Sequence, residues 1–256
     1  MSAVELAYTV DGPAAAPVLL LGSSLGTTSA LWDNEIVKLA REFRVVRYDH
    51  RGHGGSPVPT GPYTIADLGS DLIALLDRLE VERAILAGIS LAGMASMWVA
   101  SHAPQRVRRL ALLCTSARLG PAAMWATRAA TVRADGLAVI ADAVIARWVP
   151  TEFAQAHPDV MARLRAMLVS TPPEGYASCC QAIEKMDLVP DLPGVTAPTL
   201  VVAGLNDEAT PPVHARVIAD TIPGARLSLA AGAAHLPHIS RSDLIVDLLL
   251  SFLGGA

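Results

Sequence analysis

Ser90 stands in the run Ala84-Ile85-Leu86-Ala87-Gly88-Ile89-Ser90-Leu91-Ala92-Gly93-Met94. An apolar stretch of strand length enters a turn of small residues, and a helical pattern from Ala95 to His102 follows. A serine in such a strand-to-helix turn is held in strained backbone geometry with its hydroxyl presented, which requires small neighbours on both sides. Gly88, Ala92 and Gly93 supply them. The string Gly-x-Ser-x-small also arises by chance, so it is the strand before and the helix after that favour a nucleophile. The helix starting beyond Ser90 aims its positive end at the place where an oxyanion would form. The chemistry expected of this turn is nucleophilic attack on a carbonyl.

A serine hydroxyl at its ordinary pKa is a weak nucleophile, so it needs a histidine base, and the base needs an acid to orient it. His235 follows the small-residue run Gly232-Ala233-Ala234, and Asp207 ends Gly204-Leu205-Asn206-Asp207, just beyond the apolar run Thr199 to Ala203. Taken alone, Asp207 could instead cap a helix beginning after Pro211-Pro212, and His238 competes with His235 for the base role. His235 is favoured because a tight loop of small residues can lean over the serine. His50, His53, His102, His157 and His214 read as surface or loop residues, and no pair of them has a metal-ligand setting. In the loop Gly22-Ser23-Ser24-Leu25-Gly26-Thr27, the backbone N–H of Leu25 is the expected oxyanion donor, together with that of Leu91. A phosphate cradle is the competing reading of this loop, but it lacks the lysine of a P-loop and the glycine spacing of a dinucleotide site. In Tyr48-Asp49-His50-Arg51-Gly52-His53-Gly54, Asp49 and Arg51 read as groups that stabilise a loop.

Groups that must meet within hydrogen-bond reach have to sit at the ends of rigid elements. Short apolar runs bounded by Gly, Pro or Asp recur at Val18–Leu21, Arg44–Tyr48, Ala84–Ala87, Leu110–Cys114, Thr199–Ala203 and Arg226–Leu229. They are too short for helices and read as buried parallel strands. Between them lie amphipathic segments, notably Ile65 to Leu79, with Leu68, Leu72, Leu75, Leu76 and Leu79 on one helical face. Strand and helix in alternation predict an α/β fold with a mostly parallel, doubly wound sheet. The alternation stops between Ser116 and Asp191, where Gly120-Pro121, His157-Pro158 and Pro172-Pro173 divide the chain into about four or five helices. The expected organisation is therefore a core of residues 1–115 and 192–256 with an all-helical cap, 116–191, folded over a pocket at the carboxyl ends of the strands.

Composition agrees with a single globular unit. The chain has 256 residues, 52% of them apolar and 17% charged. Its mean hydropathy of +0.41 is high, yet no apolar run reaches the ~18 residues of a membrane-spanning helix. A net charge of −4 without runs of either sign gives no nucleic-acid or membrane footprint. Lys38 and Lys185 are the only lysines among 20 basic residues, which fits a GC-rich coding bias. Cys114, Cys179 and Cys180 are odd in number, lack metal spacing and read as buried thiols of a reducing compartment. The first residues, Met1 to Asp11, carry no secretory pattern, so a cytoplasmic protein is expected.

The motifs resemble those of the α/β-hydrolase superfamily, whose triads run in the chain order Ser90, Asp207, His235. Within it the chain resembles the 3-oxoadipate enol-lactonases, the β-ketoadipate enol-lactone hydrolases of aromatic catabolism. The likeness spans nearly the whole chain: Ser24-Leu25-Gly26-Thr27-Thr28 with Trp32-Asp33, Arg47-Tyr48-Asp49, Arg51-Gly52-His53-Gly54, Ser56-Pro57 and Pro62-Tyr63. Beyond the serine turn it continues in Arg118-Leu119-Gly120, Trp125, Arg128, Glu174-Gly175-Tyr176-Ala177, Cys179-Cys180 and Ala209-Thr210-Pro211-Pro212. The chain departs from the family pattern at Ala92, where glycine is usual, at Glu184, which replaces an arginine, and in Leu236-Pro237-His238-Ile239-Ser240-Arg241-Ser242. Those last two departures bear on substrate more than on reaction.

The resemblance implies acyl transfer to Ser90 with His235 as general base, an oxyanion held by Leu25 and Leu91, and hydrolysis of the acyl-enzyme by water. No cofactor or metal is implied. The family substrate is a small lactone carrying a carboxylate, for which a guanidinium is the suitable partner; Arg128 is the first candidate, Arg118 and Arg133 are others, and Trp125 and Ser24 are expected to face the same substrate. A monomer or small homo-oligomer is expected. The alternatives are an esterase, perhydrolase or C–C bond hydrolase with the same triad acting on another small ester, lactone or ketone, and a non-catalytic ligand receptor on the same scaffold.

Overall fold

Each of the six apolar runs is a strand, and one further strand precedes them. The computed structural model describes residues 1–254, so Gly255 and Ala256, at the end of the 192–256 segment, lie outside the described residues. The strands are β1 (Tyr8–Asp11), β2 (Val18–Gly22), β3 (Arg44–Tyr48), β4 (Ala84–Ile89), β5 (Val107–Leu113), β6 (Thr199–Gly204) and β7 (Arg226–Ala230). Among the described residues they form one sheet in the order β1-β3-β2-β4-β5-β6-β7, with every neighbouring pair parallel except β1 and β3. This is the mostly parallel, doubly wound sheet expected. Strands β4 and β6 are buried along their whole length, as strands covered on both faces must be. β1 escapes an apolar-run reading because it lies exposed at the edge, where nothing selects hydrophobic residues.

The helices of the first half are α1 (Ile36–Leu39), α2 (Ile65–Arg78) and α3 (Leu91–His102). α2 starts on a capping box, with the Thr64 hydroxyl accepting from the Asp67 N–H and the Asp67 carboxylate accepting from the Thr64 N–H. α3 starts four residues earlier than its apolar pattern suggests, because Ser90 turns the chain so tightly that the helix begins on the next residue. Between β5 and β6 come α4 (Ala122–Asp135), α5 (Ala138–Ile145), α6 (Thr151–Ala156), α7 (Pro158–Val169) and α8 (Pro173–Glu184). Pro121, His157 and Pro172 stand at the N-caps of α4, α7 and α8, as the punctuation by proline foretold. The chain then closes with α9 (Pro212–Thr221), α10 (Pro237–Ser240) and α11 (Ser242–Leu253). None of the described helices is long and apolar enough to cross a membrane.

The strand order reverses where β2 and β4 lie side by side, and the last residue of β2, Gly22, pairs with Gly88, the next-to-last of β4. A Cβ on Gly22 would lie 2.5 Å from the Ala92 Cβ, and one on Gly88 would lie 2.5 Å from the Ala92 carbonyl carbon. Both positions therefore require glycine. This contact brings the loop after β2 and the turn after β4 against each other at the crevice where doubly wound sheets bind ligands.

Candidate active site

Ser90 has φ 55 and ψ −114, a left-handed conformation that costs on the order of 1–3 kcal/mol and must be held by its surroundings. Three bonds hold it. Its N–H donates to the Leu113 carbonyl at 2.9 Å, and its carbonyl accepts from the Met94 N–H at 3.1 Å and from the Thr115 hydroxyl at 2.7 Å. The first N–H groups of α3 have no acceptor within the helix, so that of Leu91 is available to a ligand oxygen.

His235 and Asp207 meet as expected. The His235 Nδ1 lies 3.0 Å from Asp207 Oδ2 and 3.2 Å from Oδ1, both side chains being buried. The carboxylate also accepts from the N–H groups of Ala209 and Thr210, at 2.8 and 2.9 Å, and from the Thr210 hydroxyl at 2.7 Å. Burial raises the Asp207 pKa, but the His235 charge, its hydrogen bond and the Thr210 donors outweigh that and hold it at about 2. The acid is thus ionised and oriented at neutral pH. The N-cap of α9 is Pro211, so Asp207 shapes its own turn and holds His235 rather than capping that helix. His238 is buried with its ring stacked 4.1 Å from that of Trp32, away from the cavity that His235 lines.

Two of the histidines read as surface or loop residues are fully buried and hold the loop of Leu25. His50 Nε2 lies 3.1 Å from the Ser23 carbonyl, and His53 Nε2 accepts from the Gly26 N–H at 3.0 Å. Burial pushes their pKa values down to about 3 and about 4, so both rings are neutral and can serve as fixed hydrogen-bonding struts. No local spacing reveals this, because each partner lies 27 residues away. Asp49 and Arg51 do stabilise loops: Asp49 accepts from the N–H groups of Ser29 and Gly55, and Arg51 forms a buried pair with Asp71 at 2.6 Å.

Ser24, Leu25, Ser90 and His235 line one cavity of about 300 Å3; α4 contributes Trp125 and Arg128 to its wall, the turn after α5 contributes Arg147 and Trp148, and α8 contributes Tyr176. The Arg128 guanidinium lies 4.8 Å from the Trp125 ring centroid, and the Trp125 indole donates to the Leu119 carbonyl at 3.0 Å. Arg118 and Arg133 lie outside this cavity. The Arg118 side chain is 69% exposed and pairs with Asp187 at 3.3 Å. Arg133 lies about 140° around α4 from Arg128 at 3.6 residues per turn, and there it pairs with Glu174 at 2.7 Å. Arg147, Thr210 and His214 belong to the cavity wall without having been legible as such, since an arginine before a Trp-Val-Pro run looks like any surface arginine.

A family model described as the alpha/beta hydrolase fold matches residues 17–242. The chain is 36% identical over 238 residues to 3-oxoadipate enol-lactonase 2 of Acinetobacter baylyi, covering 93% of this chain and 89% of that protein. Among solved structures, the enol-lactonase from Burkholderia xenovorans superposes with a TM-score of 0.96 at 39% identity, covering 98% of this chain and 97% of that one. A hydrolase from Pseudomonas aeruginosa gives 0.95 at 45% identity, with 98% and 95% covered. Because the match runs nearly end to end in both sequence and structure, the chain belongs to the α/β-hydrolase fold family.

Proposed function

We propose that this protein is a serine hydrolase that opens a carboxylated enol-lactone, 3-oxoadipate enol-lactone to 3-oxoadipate, in the β-ketoadipate route of aromatic catabolism. The observation that carries the reading is a single cavity lined by Ser90, by the Asp207-paired His235 and by the Arg128 guanidinium. Relatives that bear the enol-lactonase name over nearly their whole length support it.

His235 takes the proton of the Ser90 hydroxyl as the oxygen attacks the lactone carbonyl. The negative charge that develops on the carbonyl oxygen is met by the N–H groups of Leu25 and Leu91, whose loops are brought together by the Gly22–Gly88 contact. His235 then returns the proton to the departing ring oxygen, which leaves as an enol and becomes a ketone. Water activated by the same histidine releases the acyl group from Ser90. Asp207 stays ionised throughout and stabilises the imidazolium. Arg128, backed by the Trp125 face, binds the carboxylate of the substrate. A cytoplasmic setting suits Cys114, Cys179 and Cys180, which are free thiols in buried positions.

The test is the ultraviolet decay of 3-oxoadipate enol-lactone with purified protein, run beside Ser90→Ala. Rapid decay that the substitution abolishes is expected. Cleavage of a short aryl ester without any decay of the lactone would keep the serine chemistry and move the substrate to another ester, lactone or ketone.

A further inference from the structure

Arg147 lines the cavity beside Arg128, and the hydrolytic steps above give it nothing to do. Its place is fixed. It follows α5 and precedes the buried Trp148, whose carbonyl accepts from the Leu236 N–H at 2.7 Å. Residue 147 is thereby anchored to the loop that carries His235. Arg47, Arg51 and Arg106, whose side chains are largely buried, are each paired with carboxylates: Arg47 with Asp11 and Asp33, Arg51 with Asp71, and Arg106 with Asp77. Arg147 is half-buried, and among the described residues its guanidinium makes no hydrogen bond and no ion pair. Burial and the like charge of Arg128 press its pKa down, while Tyr176, Glu208 and Asp207 partly offset them. Of these neighbours Glu208 is exposed and Asp207 is committed to His235. Two guanidiniums thus share one partly desolvated cavity, an arrangement that an entering anion would relieve.

The chemistry says which anion. When water opens a lactone, the acyl C–O bond breaks, the hydroxyl of water joins the acyl carbon and its hydrogen goes to the ring oxygen. The new acid sheds its proton at neutral pH. A lactone that already bears one carboxylate therefore becomes a dicarboxylate. We propose that Arg147 and Arg128 together form a two-guanidinium subsite for a small dicarboxylate, so that the cavity holds the dianionic product of ring opening more firmly than a monoanion of the same length. This rests on the cavity being that of a hydrolase acting on a carboxylated lactone.

The test is calorimetric titration of the full chain with adipate and with hexanoate at matched ionic strength, for the native protein, Arg147→Met and Arg128→Met. Hexanoate differs from adipate by a methyl group in place of the second carboxylate. The native protein is expected to bind adipate at least about tenfold more tightly, a step of about 1.4 kcal/mol. Either substitution should bring the two ligands to within about threefold of each other, and Arg147→Lys should keep an intermediate preference. Equal affinities in the native protein, or a full adipate preference in Arg147→Met, would overturn the proposal. If Arg147→Met does not fold, Arg147→Gln replaces it and the native comparison still decides. The titration needs no turnover. An adipate preference in a protein that leaves the enol-lactone intact would sink the lactone reading and retain the subsite, and rapid lactone decay without that preference would do the reverse.

Discussion

The backbone N–H of Gly26 donates to Nε2 of the buried His53 at 3.0 Å. Because Nε2 accepts, the ring proton sits on Nδ1, 3.2 Å from the Arg51 carbonyl. One imidazole thus ties the loop after β3 to the loop that carries Leu25. His53→Leu leaves the Gly26 N–H buried without an acceptor, a cost of about 1–3 kcal/mol. It also frees the loop that carries Leu25, the donor proposed for the oxyanion. The expected result is a fall in kcat of about tenfold or more with a smaller change in KM, read from steady-state hydrolysis of an aryl ester. Unchanged kcat would mean that His50 and the Thr27 hydroxyl, which donates to the Ser24 carbonyl at 2.7 Å, hold the loop unaided.

Asp207 and Thr210 should separate by degree. Asp207→Asn removes the charge and favours the wrong histidine tautomer, so kcat is expected to fall by about 10⁴. Thr210→Val removes only one donor to Oδ2, leaving the N–H groups of Ala209 and Thr210 on Oδ1. Its effect should be closer to tenfold, about 1.4 kcal/mol. Comparable losses in the two variants would show that the Thr210 hydroxyl orients the whole pair.

Stability should be acid-sensitive well above the carboxylate range. Burial holds His50, His53 and His238 neutral in the fold, at about 3, about 4 and about 3, whereas in the unfolded chain each takes up a proton near 6.5. Their folded values are depressed, so the stability they contribute is full above about 6.5 and is lost as pH falls toward 4. Three such groups give a slope of up to about 4 kcal/mol per pH unit in that window. Urea unfolding at pH 7 and pH 5.5 measures it. His238→Phe keeps a ring against Trp32 and should flatten the slope by about one proton; an unchanged slope would assign the effect to other groups.

Arg128→Ala should act through binding. KM for the carboxylated lactone is expected to rise by at least about tenfold, whereas a neutral aryl ester, which offers the guanidinium no charge, should lose much less. Equal losses on both substrates would remove Arg128 from carboxylate recognition and leave it a support for Trp125.

Much of the scaffold could be read along the chain because doubly buried strands such as β4 and β6 must be short and apolar throughout, and because Ser90 follows β4 at once while Asp207 and His235 stand in the short loops just beyond β6 and β7. What escaped has a physical reason in each case. β1 is held by edge pairing to β3, which asks little of its side chains. His50 and His53 serve a loop 27 residues distant, and only the β2–β3 register brings them to it. Arg118, Arg128, Arg133 and Arg147 are alike as residues. Helical phase and the nearest carboxylate, Asp187 for one and Glu174 for another, decide which of them turn away from the cavity.

The bond from the Leu236 N–H to the Trp148 carbonyl joins the inserted helices to the residue next to His235. Any change that displaced Trp148 would therefore pull on the turn that presents His235. Trp148 and His235 thus face one cavity from two segments far apart in the chain, and this bond sets the distance between them.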